Sequence, residues 1–196
     1  MRISPDEHTS RPWRIHEFTP DFRLEDVWAL PTPGAGPADF RRFVREVLAH
    51  DFEREGPPVV RALFAIRWKL GELFGWDDQR EGLGERVPTL VDRLPVDLGA
   101  TAPTPRDGDQ LTPLYLLEDE FAAEIANKTM HGVMHLSWVP DGSGGYRGQM
   151  AVLVKPNGRL GSVYMAAIKP FRYALVYPPL MRWVERTWRA TFPAAA

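Results

Sequence analysis

Two stretches of ten residues, MHGVMHLSWV at 130–139 and YRGQMAVLVK at 146–155, are separated only by PDGSGG. A connection that short can join only antiparallel strands, because a parallel pair needs a crossover of a dozen residues or more. Strand alternation places His131, Val133, His135, Ser137 and Val139 on one face, and Met130, Gly132, Met134, Leu136 and Trp138 on the other. The second stretch divides the same way. Tyr146, Gly148, Met150, Val152 and Val154 oppose Arg147, Gln149, Ala151, Leu153 and Lys155. Both strands therefore present one apolar, methionine-rich face. LTPLYLLE and FAAEIANKT before this pair, and GSVYMAAI after the turn PNGRLG, read as further strands of the same antiparallel sheet.

The first half reads differently. RPWRIHEF, residues 11–18, reads as a short opening strand. In ADFRRFVREVLAHDF, Phe40, Phe43, Val44, Val47 and Leu48 recur at helical spacing with Arg41, Arg42, Arg45 and Glu46 opposite, which predicts an amphipathic helix. PPVVRALFAIRWKLGELFG predicts a second helix, opened by Pro58 and closed by Gly75. From Trp76 to Gln110 glycine and proline recur around a short apolar cluster at PTLVDRL, and a connecting loop with room for one helical turn is expected. The tail KPFRYALVYPPLMRWVERTWRATF predicts a long helix lying on the sheet. Pro178 and Pro179 either kink it or begin its main body.

With 196 residues the chain is expected to form one domain, residues 1–196, that buries its core without staples. A net charge of −2 argues against nucleic acid, and the absence of a long apolar run argues against membrane insertion. Zero cysteines exclude disulfides, thiolate nucleophiles and cysteine-based metal sites. The opening MRISPDEHTSRPW has no apolar stretch like that of a signal peptide, so a bacterial-type cytoplasm is expected.

VLVKPNGRLGSVYMAAIKPFRYALVYPPLMR, residues 152–182, resembles the C-terminal signature of the bacterial domain of unknown function 2867 family, through Asn157, Leu160, Gly161, Tyr164, Lys169, Pro170 and Phe171. Where relatives often carry histidine after that phenylalanine, this chain has Arg172. The resemblance implies the START/Bet v 1-like (SRPBCC) superfamily and an α+β helix-grip fold, an antiparallel sheet wrapped around a long C-terminal helix with two helices after the first strand. Such a fold encloses a cavity between sheet and helix. Met134, Trp138, Met150 and Val152 are the expected wall, joined by Tyr164 and Trp183; the same residues could instead fill a solid core.

The expected ligand is a small hydrophobic metabolite, lipid or polyketide-like compound, and no cofactor is expected. The alternative is an enzyme of the cyclase, dehydratase or isomerase type, with His131 or His135 as general acid or base and Arg147 holding developing negative charge. A third reading is a scaffold that forms a homodimer or docks a partner. No metal site is expected. On a strand the two histidines stand ~13 Å apart, and Gly132 follows His131 where the HExxH pattern needs glutamate. The face carrying His131, His135, Arg147 and Gln149 is expected to be solvated, with a dimer contact or, if the faces are reversed, the chemical end of the cavity as alternatives. Glu118, Asp119 and Glu120 read as a hairpin tip, and Glu124 and Asn127 as surface residues.

Overall fold

The computed structural model describes residues 1–49, 87–105, 111–127 and 129–192, together with positions 58, 61, 65, 69 and 83. In chain order these form helix α1 (Asp6–Thr9), a 3-10 turn (Arg14–Glu17), strand β1 (Arg23–Ala29) and helix α2 (Phe40–Ala49). A second 3-10 turn (Leu90–Arg93) and helix α3 (Val96–Gly99) precede strands β2 (Thr112–Leu116), β3 (Glu120–Ala126), β4 (Met130–Pro140) and β5 (Tyr146–Pro156). Helix α4 (Gly158–Phe171), a π-helical turn (Arg172–Val176) and helix α5 (Tyr177–Thr191) complete the chain. The architecture is α+β. The five strands form one sheet in the order β1-β5-β4-β3-β2, with every neighbouring pair antiparallel.

The hairpin between β4 and β5 follows from its turn residues. Asp141 Oδ1 accepts from the backbone N–H of Ser143 at 2.7 Å and of Gly145 at 3.1 Å, while Gly142 and Gly144 supply the positive φ the reversal needs. Its register pairs Trp138 with Gly148, Ser137 with Gln149 and Met134 with Val152. At Gly148 a Cβ would lie 3.1 Å from the Leu30 side chain, so this glycine lets the chain leaving β1 pass close over the sheet.

Both faces of the sheet are covered. One face packs Trp28, Leu136, Trp138 and Met150 against Phe40, Phe43 and Val44 of α2 and Tyr177, Trp183, Val184 and Trp188 of α5. The other packs Val27, Val133, Val139, Ala151 and Leu153 under Trp13, Ile15, Phe18, Leu90 and Leu98, which come from the N-terminal segment and from 90–98. The result is three layers: helices, sheet, and a cover of short helical turns.

The structure corrects two expectations. RPWRIHEF is not a strand. Ile15 and Phe18 are buried three residues apart and Arg14 pairs with Glu17 across the same turn, the 3-10 period instead of strand alternation. The first strand is β1, where Asp26, Val27 and Trp28 are all buried and a register shift falls between Leu24 and Asp26, so no simple apolar/polar alternation marks it. GSVYMAAI is helical. Gly161 and Met165 are buried one turn apart, and a Cβ on Gly161 would overlap the carbonyl oxygen of Thr129. Gly161→Ala is expected to destabilise the protein by about 1–3 kcal/mol through overpacking, measurable as a lowered urea midpoint. The helix expected over 57–75 lies outside the described residues, apart from isolated positions.

Pro178 and Pro179 fall in the first turn of α5, and the π-helical turn lies just before them. Neither proline can donate a backbone hydrogen bond, so a straight α-helix through them would strand two carbonyls. In the π turn the Tyr177 N–H donates instead to the Arg172 carbonyl, five residues back. The main body of the last helix thus begins at the prolines, one of the two alternatives the sequence leaves open.

Candidate functional site

On the helix-facing side, the π turn places Arg172 and Tyr177 over β1. Tyr177 donates from its hydroxyl to Asp26 Oδ1 at 2.8 Å, Arg172 donates to Asp26 Oδ2 at 3.0 Å, and Trp28 Nε1 donates to Asp26 Oδ1 at 2.8 Å. Arg172 also donates to the Tyr177 hydroxyl. Asp26 is buried, and its carboxylate has a guanidinium and two neutral donors as partners. Burial pushes the Tyr177 hydroxyl well above the usual phenol range, with Asp26 adding to the rise, so it stays a donor. Tyr173 lies tilted beside Tyr177 with ring centroids 5.9 Å apart, and its buried hydroxyl has no hydrogen-bond partner.

From that polar corner an apolar wall runs across the sheet. Trp138 lies 5.4 Å from Phe43, 5.8 Å from Phe40 and 5.8 Å from Trp188, centroid to centroid. Trp188 stacks on Phe192 at 3.8 Å. Around these rings Leu111, Leu116, Met134, Leu180 and Met181 are only partly buried. Met134, Trp138, Met150 and Val152 therefore share the face that meets α5, with Trp183 buried on α5 itself. Tyr164 lies on α4 instead of a strand, and its side chain is outside the described ones.

The opposite face is not solvated, contrary to the sequence expectation. His131, His135 and Gln149 are buried, as are Glu120, Glu124 and Asn127, which the sequence suggested were a hairpin tip and surface residues. Arg147 is partly exposed and pairs with Glu7 of α1 at 3.3 Å. The histidines and glutamates form two diagonal pairs across β3 and β4. His131 Nε2 meets Glu124 Oε2 at 2.7 Å, and four residues along, His135 Nε2 meets Glu120 Oε2 at 3.2 Å.

Each glutamate also caps a covering turn. Glu124 accepts from the Leu90 N–H at 3.0 Å and from the Thr89 hydroxyl, at the start of the 90–93 turn. Glu120 accepts from the Arg14 N–H at 3.0 and 3.1 Å, at the start of the 14–17 turn, and from the Tyr115 hydroxyl at 3.1 Å. Both carboxylates satisfy N–H groups that a helical turn leaves unpaired, which draws the cover down onto the sheet. Asn127 does local work: its Oδ1 accepts from the N–H groups of Thr129 and Met130 and from the Thr129 hydroxyl, closing the β3–β4 turn.

The two histidines differ in what lies beyond them. His131 meets the edge of Phe22. His135 continues through Nδ1 to His8 Nε2 at 3.0 Å, with His16 packed edge-on against His8 at 5.0 Å. Burial pushes Glu120 up, but the hydrogen bonds it accepts from His135, the Arg14 N–H and the Tyr115 hydroxyl outweigh it and leave the carboxyl below its ordinary range. Burial likewise lowers His135 despite Glu120, and burial with the neighbouring histidines lowers His8 to about 3. At neutral pH the three groups are therefore one carboxylate and two neutral imidazoles.

The pH dependence follows. An ordinary histidine titrates near 6.5, so from there down to about 3 the unfolded chain binds a proton at His8 that the native protein refuses. Stability should fall on acidification below pH ~6.5, approaching ~1.4 kcal/mol per pH unit for each such histidine. His8→Phe should flatten that slope in urea midpoints measured between pH 7.5 and pH 5, and an unchanged slope would show that His8 takes no part.

The described residues include no group of three or more histidine, cysteine or acidic side chains placed to hold a metal ion. None of the helices formed by the described residues is long and apolar enough to cross a membrane. The family model described as "Protein of unknown function (DUF2867)" matches residues 18–179. No curated protein and no solved structure matches the chain.

Proposed function

We propose that this chain, which belongs to the DUF2867 family, is a helix-grip protein of the START/Bet v 1-like superfamily that binds a small, mainly apolar molecule between its sheet and C-terminal helix. The observation that carries the reading is the polar corner at one end of the aromatic wall. The buried Asp26 carboxylate and the partly buried Arg172, the Tyr177 hydroxyl and the unpartnered Tyr173 hydroxyl converge where the last helix departs from α geometry. Small-molecule sites combine apolar walls with a few such groups, and π turns occur often at functional sites. Met134, Trp138, Met150, Val152 and Trp183 supply the wall, and Tyr173 orients the polar end of a lipid, polyketide-like or other hydrophobic metabolite. The protein acts as a carrier or receptor of that ligand. An enzyme that used His131, His135 or Arg147 on such a ligand would have to reach the other side of the sheet.

Native mass spectrometry of the purified protein, with organic extraction of any retained compound, tests the proposal together with titration by 1-anilinonaphthalene-8-sulfonate. A saturable complex in the micromolar range is expected, weakened about tenfold or more in Met134→Arg, since a charge at a half-buried apolar position costs both contact and desolvation. Equal binding by the folded variant, or no binding by either form, would remove the ligand from this side of the sheet.

A further inference from the structure

Among the described residues, the buried side-chain nitrogens and oxygens without a hydrogen-bond partner are concentrated on the far side of the sheet, with the Tyr173 hydroxyl as the exception. They are His8 Nδ1, Trp13 Nε1, His16 Nε2, Ser137 Oγ, Arg147 Nη1 and both amide atoms of Gln149. Ser137 and Gln149 are direct cross-strand partners, His135 is two residues from one and Arg147 two residues from the other. These four side chains therefore emerge from one patch of β4 and β5. His8, Trp13 and His16 lie above it, with the Trp13 ring 5.7 Å and the His8 ring 5.0 Å from His135.

The hydrogen-bond chain fixes the tautomers. The Glu120 carboxylate can only accept, so His135 donates to it from Nε2 and leaves Nδ1 bare. His8 must then donate from Nε2 to that nitrogen at 3.0 Å, which leaves His8 Nδ1 as a lone pair. The relay Glu120–His135–His8 thus ends in an unpartnered acceptor, on the same side of the sheet as the unpartnered donors of Arg147, Trp13 and Gln149. The parallel pair His131–Glu124 carries no such relay: beyond His131 lies the edge of Phe22, not a second imidazole. Burying this many unmet polar atoms is costly unless something meets them.

We propose that the N-terminal segment and strands β4 and β5 form a second small-molecule site, for a compact hydroxycarboxylic acid whose hydroxyl donates to His8 Nδ1 and whose carboxylate is met by Arg147, with Ser137 and Gln149 beside it. A simple carboxylic acid lacks the donor that His8 requires. A neutral polyol gives the guanidinium of Arg147 no counter-charge beyond its exposed partner Glu7. Glu120 lies at the far end of the relay from His8 Nδ1, so the hydroxyl end of the ligand is the one that meets the relay and its carboxylate is left to Arg147. Entry requires α1 to lift, and that helix is four residues long, its Glu7–Arg147 contact being an exposed ion pair of small worth. The site is independent of the apolar one on the opposite face, and each can fail alone.

The test uses the full chain, labelled with nitrogen-15, at pH 7. Two-bond imidazole spectra should show His8 and His135 as neutral Nε2–H tautomers. Sodium glycolate should shift the His8 Nδ1 and Trp13 indole resonances saturably, with sodium acetate, which lacks the hydroxyl, binding about fivefold more weakly for the loss of one hydrogen bond. His8→Phe and Gln149→Leu should each abolish the response. The proposal is overturned by no saturable shift below about 10 mM glycolate, by equal response to acetate, by shifts that persist in both variants, or by cross-peaks from these atoms to bound water with no response to glycolate. If His8→Phe loses the dispersed amide spectrum of the fold, Ser137→Ala, which removes a single oxygen, decides the matter by the same readout.

Discussion

Replacing Arg172 by methionine should destabilise the protein by about 3–5 kcal/mol, as expected for removing the cationic partner of a buried carboxylate. The substitution preserves the long apolar stem and removes only the guanidinium, leaving the fully buried Asp26 carboxylate with Tyr177 and Trp28 as its remaining donors. Two neutral hydrogen bonds do not offset the cost of a buried charge. The double variant Asp26→Leu, Arg172→Met should recover most of the loss, because replacing both partners by apolar groups leaves nothing uncompensated. Urea denaturation of the two single variants and the double variant measures the coupling as a double-mutant cycle. If the single and double variants were equally unstable, the pair would not be the source of the cost.

Trp138→Ala should lose a comparable amount, about 3–5 kcal/mol, or roughly 10 °C in Tm for a chain of this size. Trp138 is buried at the meeting of β4, α2 and α5, touching Phe40, Phe43 and Trp188, and its indole N–H donates to the Gly36 carbonyl at 2.8 Å. Removing it opens a cavity among three rings that cannot close over it and strands a backbone acceptor. Trp138→Phe keeps most of the ring volume and should cost about half as much, separating packing from the lost hydrogen bond. A Trp138→Ala variant with native Tm would mean that the rings around it repack freely, which an interior at ordinary density does not do.

How much of the site could be read from the residues is clearest at β3 and β4. EFAAEIA carries glutamates four apart, and MHGVMHL carries histidines four apart. Strand alternation puts each pair on one face, and equal spacing lets both pairs meet if the strands lie antiparallel in the observed register. That match was legible. Glutamate in a short strand near a turn nonetheless reads as solvated, because nothing in the local pattern says that a cover will arrive. The cover comes from residues 13–18 and 90–98, far away in the chain, and its short turns carry no periodic signature of their own. His8 and Trp13 were missed for the same reason: residues in a four-residue helix and the loop after it gain meaning only from what they land on.

The C-terminal segment shows the reverse error. The run 161–168 has small and β-branched residues that suit either strand or helix, and PNGRLG resembles a hairpin turn. What decides for the helix is the close approach of Gly161 to the Thr129 backbone, a long-range contact.

The sequence by itself determined the antiparallel hairpin of β4 and β5, the amphipathic helix α2, a helical tail interrupted or begun at its prolines, and the apolar face that carries Met134, Trp138 and Met150. Each rests on local periodicity or on turn chemistry, which neighbours in the chain enforce without help. Only the tertiary structure decided that the polar face is buried, that Asp26 and Arg172 meet, and that a relay runs from Glu120 through His135 to His8. Those depend on which distant segment excludes water from a given surface, and burial is a property of the whole packed molecule, not of any stretch within it.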